Sequence, residues 1–143
     1  MIRVRKLLET KGRQIWSTTP DASVYDALTV MAEKRVGALV VLEGDKLCGV
    51  FSERDYARKV ILQGKSSKET AVADVMSSKV FYISPDQQID ECMALMTDKS
   101  IRHLPVLDDG ELVGVISIGD VVKATISQQE FIIDQLEHFI TGR

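Results

Sequence analysis

No stretch of the chain comes near the roughly 18 consecutive apolar residues that a membrane-spanning helix needs. Basic residues are in the minority: Lys and Arg number 18 against 21 Asp and Glu, for a formal net charge of −3. A general nucleic-acid binder usually carries a basic face, so that class is disfavoured. The start, MIRVRKLLETKG, is charged throughout and has no apolar h-region. It does not read as a signal peptide, and a cytoplasmic location is expected. Cysteine is nearly absent. Cys48 and Cys92 each sit in an apolar stretch, too few for a disulfide framework and too isolated for a zinc site, so both are expected as buried, inert thiols. Only two histidines exist, no metal-ligand cluster stands out, and no serine lies in a nucleophile-elbow pattern. A hydrolase is therefore not expected, and neither is a resident metal or catalytic cofactor. What the chain does have is apolar material: 45% of 143 residues, enough for one compact domain or two fused half-domains.

That material is arranged as a duplication. Sliding the chain by 65 positions brings its halves into register without a gap. Pro20-Asp21 falls on Pro85-Asp86, Met31 on Met96, Leu39 on Leu104, and Gly49, Ser52 and Asp55 on Gly114, Ser117 and Asp120. Each copy opens with a short extended piece, Ile15 to Thr18 and Val80 to Ile83. A helix follows, with Val24, Ala27, Leu28 and Met31 in one stripe and Ile89, Cys92, Met93 and Met96 in the other. Then come two apolar strands joined by a polar turn, Ala38 to Leu42 with Leu47 to Phe51, and His103 to Leu107 with Leu112 to Ile116. A second helix starts after Ser52 and after Ser117. The pattern is α+β, a βαββα unit used twice. The strands are nearly continuous in Val, Leu and Ile, so both sheet faces should be covered.

The remaining segments give the expected boundaries. Residues 1–12 form a helix with Val4, Leu7 and Leu8 on one face and Gly12 as its stop. The copies occupy 13–62 and 78–126, separated by a polar linker and short helix over 63–77. In the linker, Ser66-x-x-Glu69 reads as a capping box opening a helix from Thr70 to Met76. Ser127-Gln128-Gln129-Glu130 reads as another, opening a C-terminal helix over 127–143. Its Phe131, Ile132, Ile133, Leu136, Phe139 and Ile140 exceed what one helix face buries, which points to a dimer interface.

The chemistry sits at the strand-to-helix junctions, Gly49-Val-Phe-Ser52-Glu-Arg-Asp55 and Gly114-Val-Ile-Ser117-Ile-Gly-Asp120. Gly-x-x-Ser-x-x-Asp can be a helix cap and nothing more, with Ser accepting a first-turn N–H and Asp favouring the positive helix end. The same physics suits a ligand: free amides and a dipole for phosphate, a hydroxyl donor, and a carboxylate to accept two vicinal ribose hydroxyls. Arg54 between them adds a cation for phosphate oxygens.

The span from about Arg13 to Ala124 resembles a tandem pair of CBS (cystathionine-β-synthase) domains, a stand-alone Bateman module. The resemblance rests on the two junctions, on Ile101-Arg102-His103-Leu104-Pro105-Val106 and on Asp74-Val75-Met76. It implies two CBS repeats about a pseudo-twofold axis with flanking terminal helices, and AMP, ATP or NAD(H) bound in clefts between the repeats. The role implied is a non-catalytic regulatory sensor, homodimeric through its CBS faces and terminal helices, acting on a separate protein. The alternative is a protein-interaction module docking a partner through its C-terminal helix, with vestigial nucleotide sites. By the resemblance Ser52 and Ser117 would meet phosphate, and Asp55 and Asp120 the ribose. Backbone at Val36-Gly37-Ala38 and Ile101-Arg102-His103 would line the adenosine, Ser78 and Lys79 would lie over the base, and Arg54, Arg102 and His103 would offset phosphate charge. The copies differ where Gly37-Ala38 faces Arg102-His103 and where Glu53-Arg54 faces Ile118-Gly119, so the two sites should not be equivalent.

Overall fold

The computed structural model describes residues 2–141. In chain order its elements are α1 (Val4–Lys11), β1 (Ser17–Thr18), α2 (Val24–Lys34), β2 (Ala38–Glu43), β3 (Lys46–Ser52), α3 (Glu53–Tyr56) running on into a π-helical turn (Ala57–Ile61), α4 (Val72–Val75), α5 (Ile89–Lys99), β4 (His103–Asp108), β5 (Glu111–Ser117) and α6 (Ile118–Thr141). They group into two compact units. The first-copy unit is Ile15–Phe81, and the second-copy unit is Met1–Gln14 together with Tyr82–Arg143.

In the first-copy unit, β1 runs parallel to β2 with Ser17 opposite Val40, and β2 pairs antiparallel with β3. The stripe on α2 does what its spacing predicts. Val24, Ala27 and Met31 are buried with Leu39, Val41, Phe51, Val60, Val72 and Val75, and Leu28 packs at the edge. Each of the larger side chains among them contributes about 1.5–3 kcal/mol on burial. Ser23 caps α2, its Oγ accepting from the Asp26 amide at 3.0 Å, and Arg35 ends it in the left-handed region with φ 55°. The linker departs from expectation. Residues 66–69 form a turn in which the Glu69 amide donates to the Ser66 carbonyl, and the helix starts only at Val72, after Ala71, with no side-chain cap. The reason is a bridge between Ser23 and Ala71. The Val24 amide donates to Thr70 O and the Val72 amide to Ala22 O, which holds residues 70–71 extended.

The second-copy unit repeats the design from discontinuous chain. α5 buries Ile89, Cys92 and Met96 and ends at Ser100 with φ 54°, as α2 does at Arg35. β4 and β5 pair antiparallel with the same irregularity, between Val106 and Leu107, that β2 has between Val41 and Leu42. The turn Asp109-Gly110 has positive φ at both residues, which the tight hairpin connection requires. Of the extended piece Val80 to Ile83, only Ile83 pairs, bridging Val106 in parallel. α1 belongs to this unit. Val4, Leu7 and Leu8 are buried, and Gly12 at φ 98° ends the helix with its amide on Leu8 O. Gly12 thus stops α1 as the sequence predicts.

The second expected capping box is absent as well. Ser127 lies inside α6, which runs unbroken for 24 residues from Ile118, because nothing between Asp120 and Phe131 breaks a helix. The expected separate helix over 127–143 is the distal half of α6, and residues 142–143 of it lie outside the described residues. No helix among the described residues is long and apolar enough to cross a membrane. Cys92 is buried, and burial pushes its thiol up to about 11. Cys48 is only half-buried, with its Sγ donating to Val41 O at 3.2 Å.

Candidate functional site

At the first-copy junction the chain closes its own helix start. Ser52 and Asp55 form a reciprocal capping box: Ser52 Oγ accepts the Asp55 amide at 3.2 Å while Asp55 Oδ2 accepts the Ser52 amide at 3.0 Å. The Ser52 hydroxyl also donates to Oδ2, at 3.1 Å. Oδ1 accepts from Ser77 Oγ at 3.0 Å and pairs with Lys59 Nζ at 3.1 Å. Asp55 is 7% exposed with both oxygens engaged. The Glu53 amide donates to Gly37 O at 3.0 Å. The amides of Glu53 and Asp55, expected to face phosphate, are thus taken by the chain, and so is the Ser52 hydroxyl. Beside this junction lies a pocket of about 330 Å³, lined by Leu28, Met31 and Ala32 of α2, by Arg35, Val36 and Gly37, and by Glu53.

The second-copy junction shares the frame and differs in its partners. Ser117 Oγ accepts the Asp120 amide at 3.2 Å, Asp120 Oδ2 accepts the Ser117 amide at 2.8 Å, and the Ile118 amide donates to Arg102 O at 2.8 Å. The cation comes from α1: Lys11 Nζ donates to Asp120 Oδ2 at 2.5 Å and to Val115 O at 2.6 Å. No hydrogen bond from a described residue reaches Asp120 Oδ1. Burial pushes this carboxyl up, but the Lys11 and Ser117 hydrogen bonds outweigh it and hold it below its ordinary value. His103 opens β4, half-buried. Burial, and after it the Lys11 charge, push its imidazole below the ordinary 6.5. That shift works against the phosphate-offsetting charge expected of it.

The junction glycines have a packing role. A Cβ on Gly49 would lie 2.6 Å from Met76 Sδ, and one on Gly114 would lie 2.8 Å from Leu8 Cδ2. Each glycine admits a covering side chain, from the α4 segment in one unit and from α1 in the other. Of the other expected residues, Ala38 opens β2 and Ile101 precedes β4, both half-buried, while Arg102 is exposed. Ser78 and Lys79 are exposed, and it is the preceding residue, Ser77, whose hydroxyl donates to Asp55; Lys79 lies 5.6 Å over the Phe81 ring. Arg54 is half-buried and engaged. Ser77 and Lys11 were not singled out by sequence. The Lys59–Asp55 pair is likewise missed by the sequence reading, although its i,i+4 spacing is a signal that could have found it. Among the described residues no group of three or more His, Cys, Asp or Glu could hold a metal.

Comparison with known proteins agrees with this architecture. The sequence profile described as "CBS domain" matches residues 11–61 and 72–127. The mitochondrial CBS domain-containing protein CBSX3 of Arabidopsis thaliana is 40% identical over 149 residues, covering 97% of this chain and 72% of its own. A solved signal-transduction protein with CBS domains from Burkholderia ambifaria is 53% identical with a TM-score of 0.87, over 90% of this chain and 96% of that one. The CBS domain pair of protein MJ0100, solved with 5′-methylthioadenosine and S-adenosyl-L-methionine, shares the fold at 21% identity with a TM-score of 0.77, over 87% of this chain and 99% of its own. With two profile matches, these relatives and the duplicated junction agreeing, the chain belongs to the CBS domain family as a tandem CBS pair.

Proposed function

We propose that this chain is a regulatory module without catalysis of its own that binds an adenine nucleotide, AMP, ATP or NAD(H), at its strand-to-helix junctions. The observation that carries the reading is the junction at Asp120. There a carboxylate keeps one oxygen clear of hydrogen bonds from the described residues beside the Lys11 ammonium, a donor and acceptor set suited to a phosphate and a ribose diol, and exposed Arg102 joins the same junction through its carbonyl. The pocket beside Gly37, with the apolar wall of α2 on one side, is of a size and lining that suit an adenine ring. Kinship with a CBS pair solved with two adenosine compounds supports the ligand class. Binding would stabilise one state of the chain, and a separate protein would read the difference. Titration calorimetry with AMP, ATP and NADH tests this. Saturable heat with at least one is expected, and no binding by any of the three overturns it.

The exposed distal half of α6 supports a homodimer. Ile126, Ile133 and Ile140 recur every seven residues, and Val122 and Leu136 fall on the adjoining positions of one seam. Each is 42–80% exposed, and Phe139 beside them is 87% exposed. A helical segment this apolar is poorly stable in water without a covering surface. A seam of Ile and Leu at heptad spacing is complementary to itself, which favours a second copy over docking of a different protein. Light scattering should show a dimer that Ile133→Glu with Leu136→Glu dissociates. A monomeric wild type overturns the pairing and leaves partner docking as the reading of that face.

A further inference from the structure

We propose that the nucleotide site of the second-copy unit is completed by the N-terminal helix, with Lys11 as its cation, and that diol recognition falls on Asp120 and not on Asp55. The inference rests on reading the chain as an adenine-nucleotide module. An ionised carboxylate has about four acceptor positions. All four are used at Asp55, by the Ser52 amide, the Ser52 hydroxyl, the Ser77 hydroxyl and Lys59. A ribose would have to break one of these at a side chain that is almost fully buried. Among the described residues, the Lys11 ammonium and the Ser117 amide both donate to Oδ2 of Asp120, none donates to Oδ1 at hydrogen-bond geometry, and the side chain is 20% exposed. Two vicinal hydroxyls need two acceptor positions, which Oδ1 supplies.

The cation differs in origin as well. In the first-copy unit it is Lys59, one helical turn past Asp55. The matching position of the second copy is Ala124, so the repeat offers no cation at that place. Lys11 fills the role from α1, which is seated by buried Val4, Leu7 and Leu8, with Leu8 over Gly114. An ammonium has three donors. Two of Lys11's reach Val115 O and Asp120, which leaves one for a ligand oxygen. Its charge also offsets Asp120, so that a phosphate approaching the diol site is not repelled. Burial lowers the His103 imidazole beside it, which makes His103 the weaker cation of the two. Nucleotide binding at Asp120 and docking of α1 are then linked, each favouring the other.

The test is calorimetry on the full chain with AMP, 2′-deoxy-AMP and adenosine. Wild type should prefer AMP over 2′-deoxy-AMP, and Asp120→Asn should erase that preference. Lys11→Met should weaken AMP about tenfold and adenosine about threefold, the loss of one charge-assisted hydrogen bond with its electrostatic share. Lys11→Arg should restore AMP. AMP should also slow amide exchange at Leu7 and Leu8 in wild type and not in Lys11→Met. Unchanged AMP affinity in Lys11→Met overturns the inference while leaving the broader reading intact, and so does a diol preference that survives in Asp120→Asn. A wild type that binds neither AMP nor adenosine overturns both. The Lys11 variants decide the matter even where Asp120→Asn fails to fold.

Discussion

The two junctions share a motif and a backbone path, yet one is closed and the other is partly open. In the first-copy unit, Asp55 is gripped by residues within 22 positions of it: Ser52, Lys59 and Ser77. In the second-copy unit, Asp120 is held by Ser117 and by Lys11, a residue 109 positions away. The covering side chain differs in the same way, Met76 over Gly49 against Leu8 over Gly114. A repeated motif fixes the cap, and the segment laid over it decides how much of the carboxylate remains for anything else. Ser and Asp are accounted for by capping in both copies, and the glycines by close packing. Of the two carboxylates, Asp120 is the one that keeps an oxygen for a ligand.

The comparison breaks most readily at the carboxylates. Asp55→Ala strands Lys59, Ser77 and the Ser52 amide at a buried site and should cost about 3 kcal/mol, whereas Asp120→Ala should cost about 1–2 kcal/mol. Urea unfolding measures both, and equal losses would show that the two caps are alike. The glycines sharpen the point. Gly49→Ala meets the Ser77 backbone oxygen at 3.1 Å as well as Met76, while the nearest atoms to a Cβ at Gly114 all belong to the Leu8 side chain, which can turn aside. The first should cost about 2 kcal/mol and the second about 1 kcal/mol; a reversed order would contradict the packing.

The smallest effect is in pH dependence. His103 has a folded value depressed below 6.5, so the unfolded chain takes up its proton first as pH falls. Its share of stability is complete above about pH 6.5 and is lost as pH falls through the folded value. The carboxyl of Asp120, also depressed, works in the same direction at lower pH, with its stabilisation present above the ordinary 3.8 and lost as pH falls through the folded value. Thermal melts at pH 7.5 and 5.5 should show a decline that His103→Gln reduces; an unchanged decline would place the titration elsewhere.

Much of this was legible in the residues. The 65-residue shift and the i, i+3, i+4, i+7 stripes gave the helices and hairpins, because those elements are set by local periodicity and by turn residues such as Asp109-Gly110. Both capping-box assignments outside the junctions failed for reasons a local pattern does not carry. Ser66 lost because Ala71 bridges Ser23, distant in the chain, and Ser127 because a helix was already under way. The same limit applies at the site. Lys59 could be placed from its spacing to Asp55, but the approach of Lys11 to Asp120 depends on where Leu7 and Leu8 seat α1, a tertiary fact. The low imidazole pKa at His103 likewise comes from burial that the sequence around it does not reveal.

The most direct test is a crystal structure of the chain soaked with AMP. The account predicts ribose hydroxyls within hydrogen-bond distance of Asp120 Oδ1, Lys11 Nζ against the nucleotide, and the bonds around Asp55 unchanged. A nucleotide whose ribose sits on Asp55, or crystals that take up no AMP at saturating concentration, would contradict it.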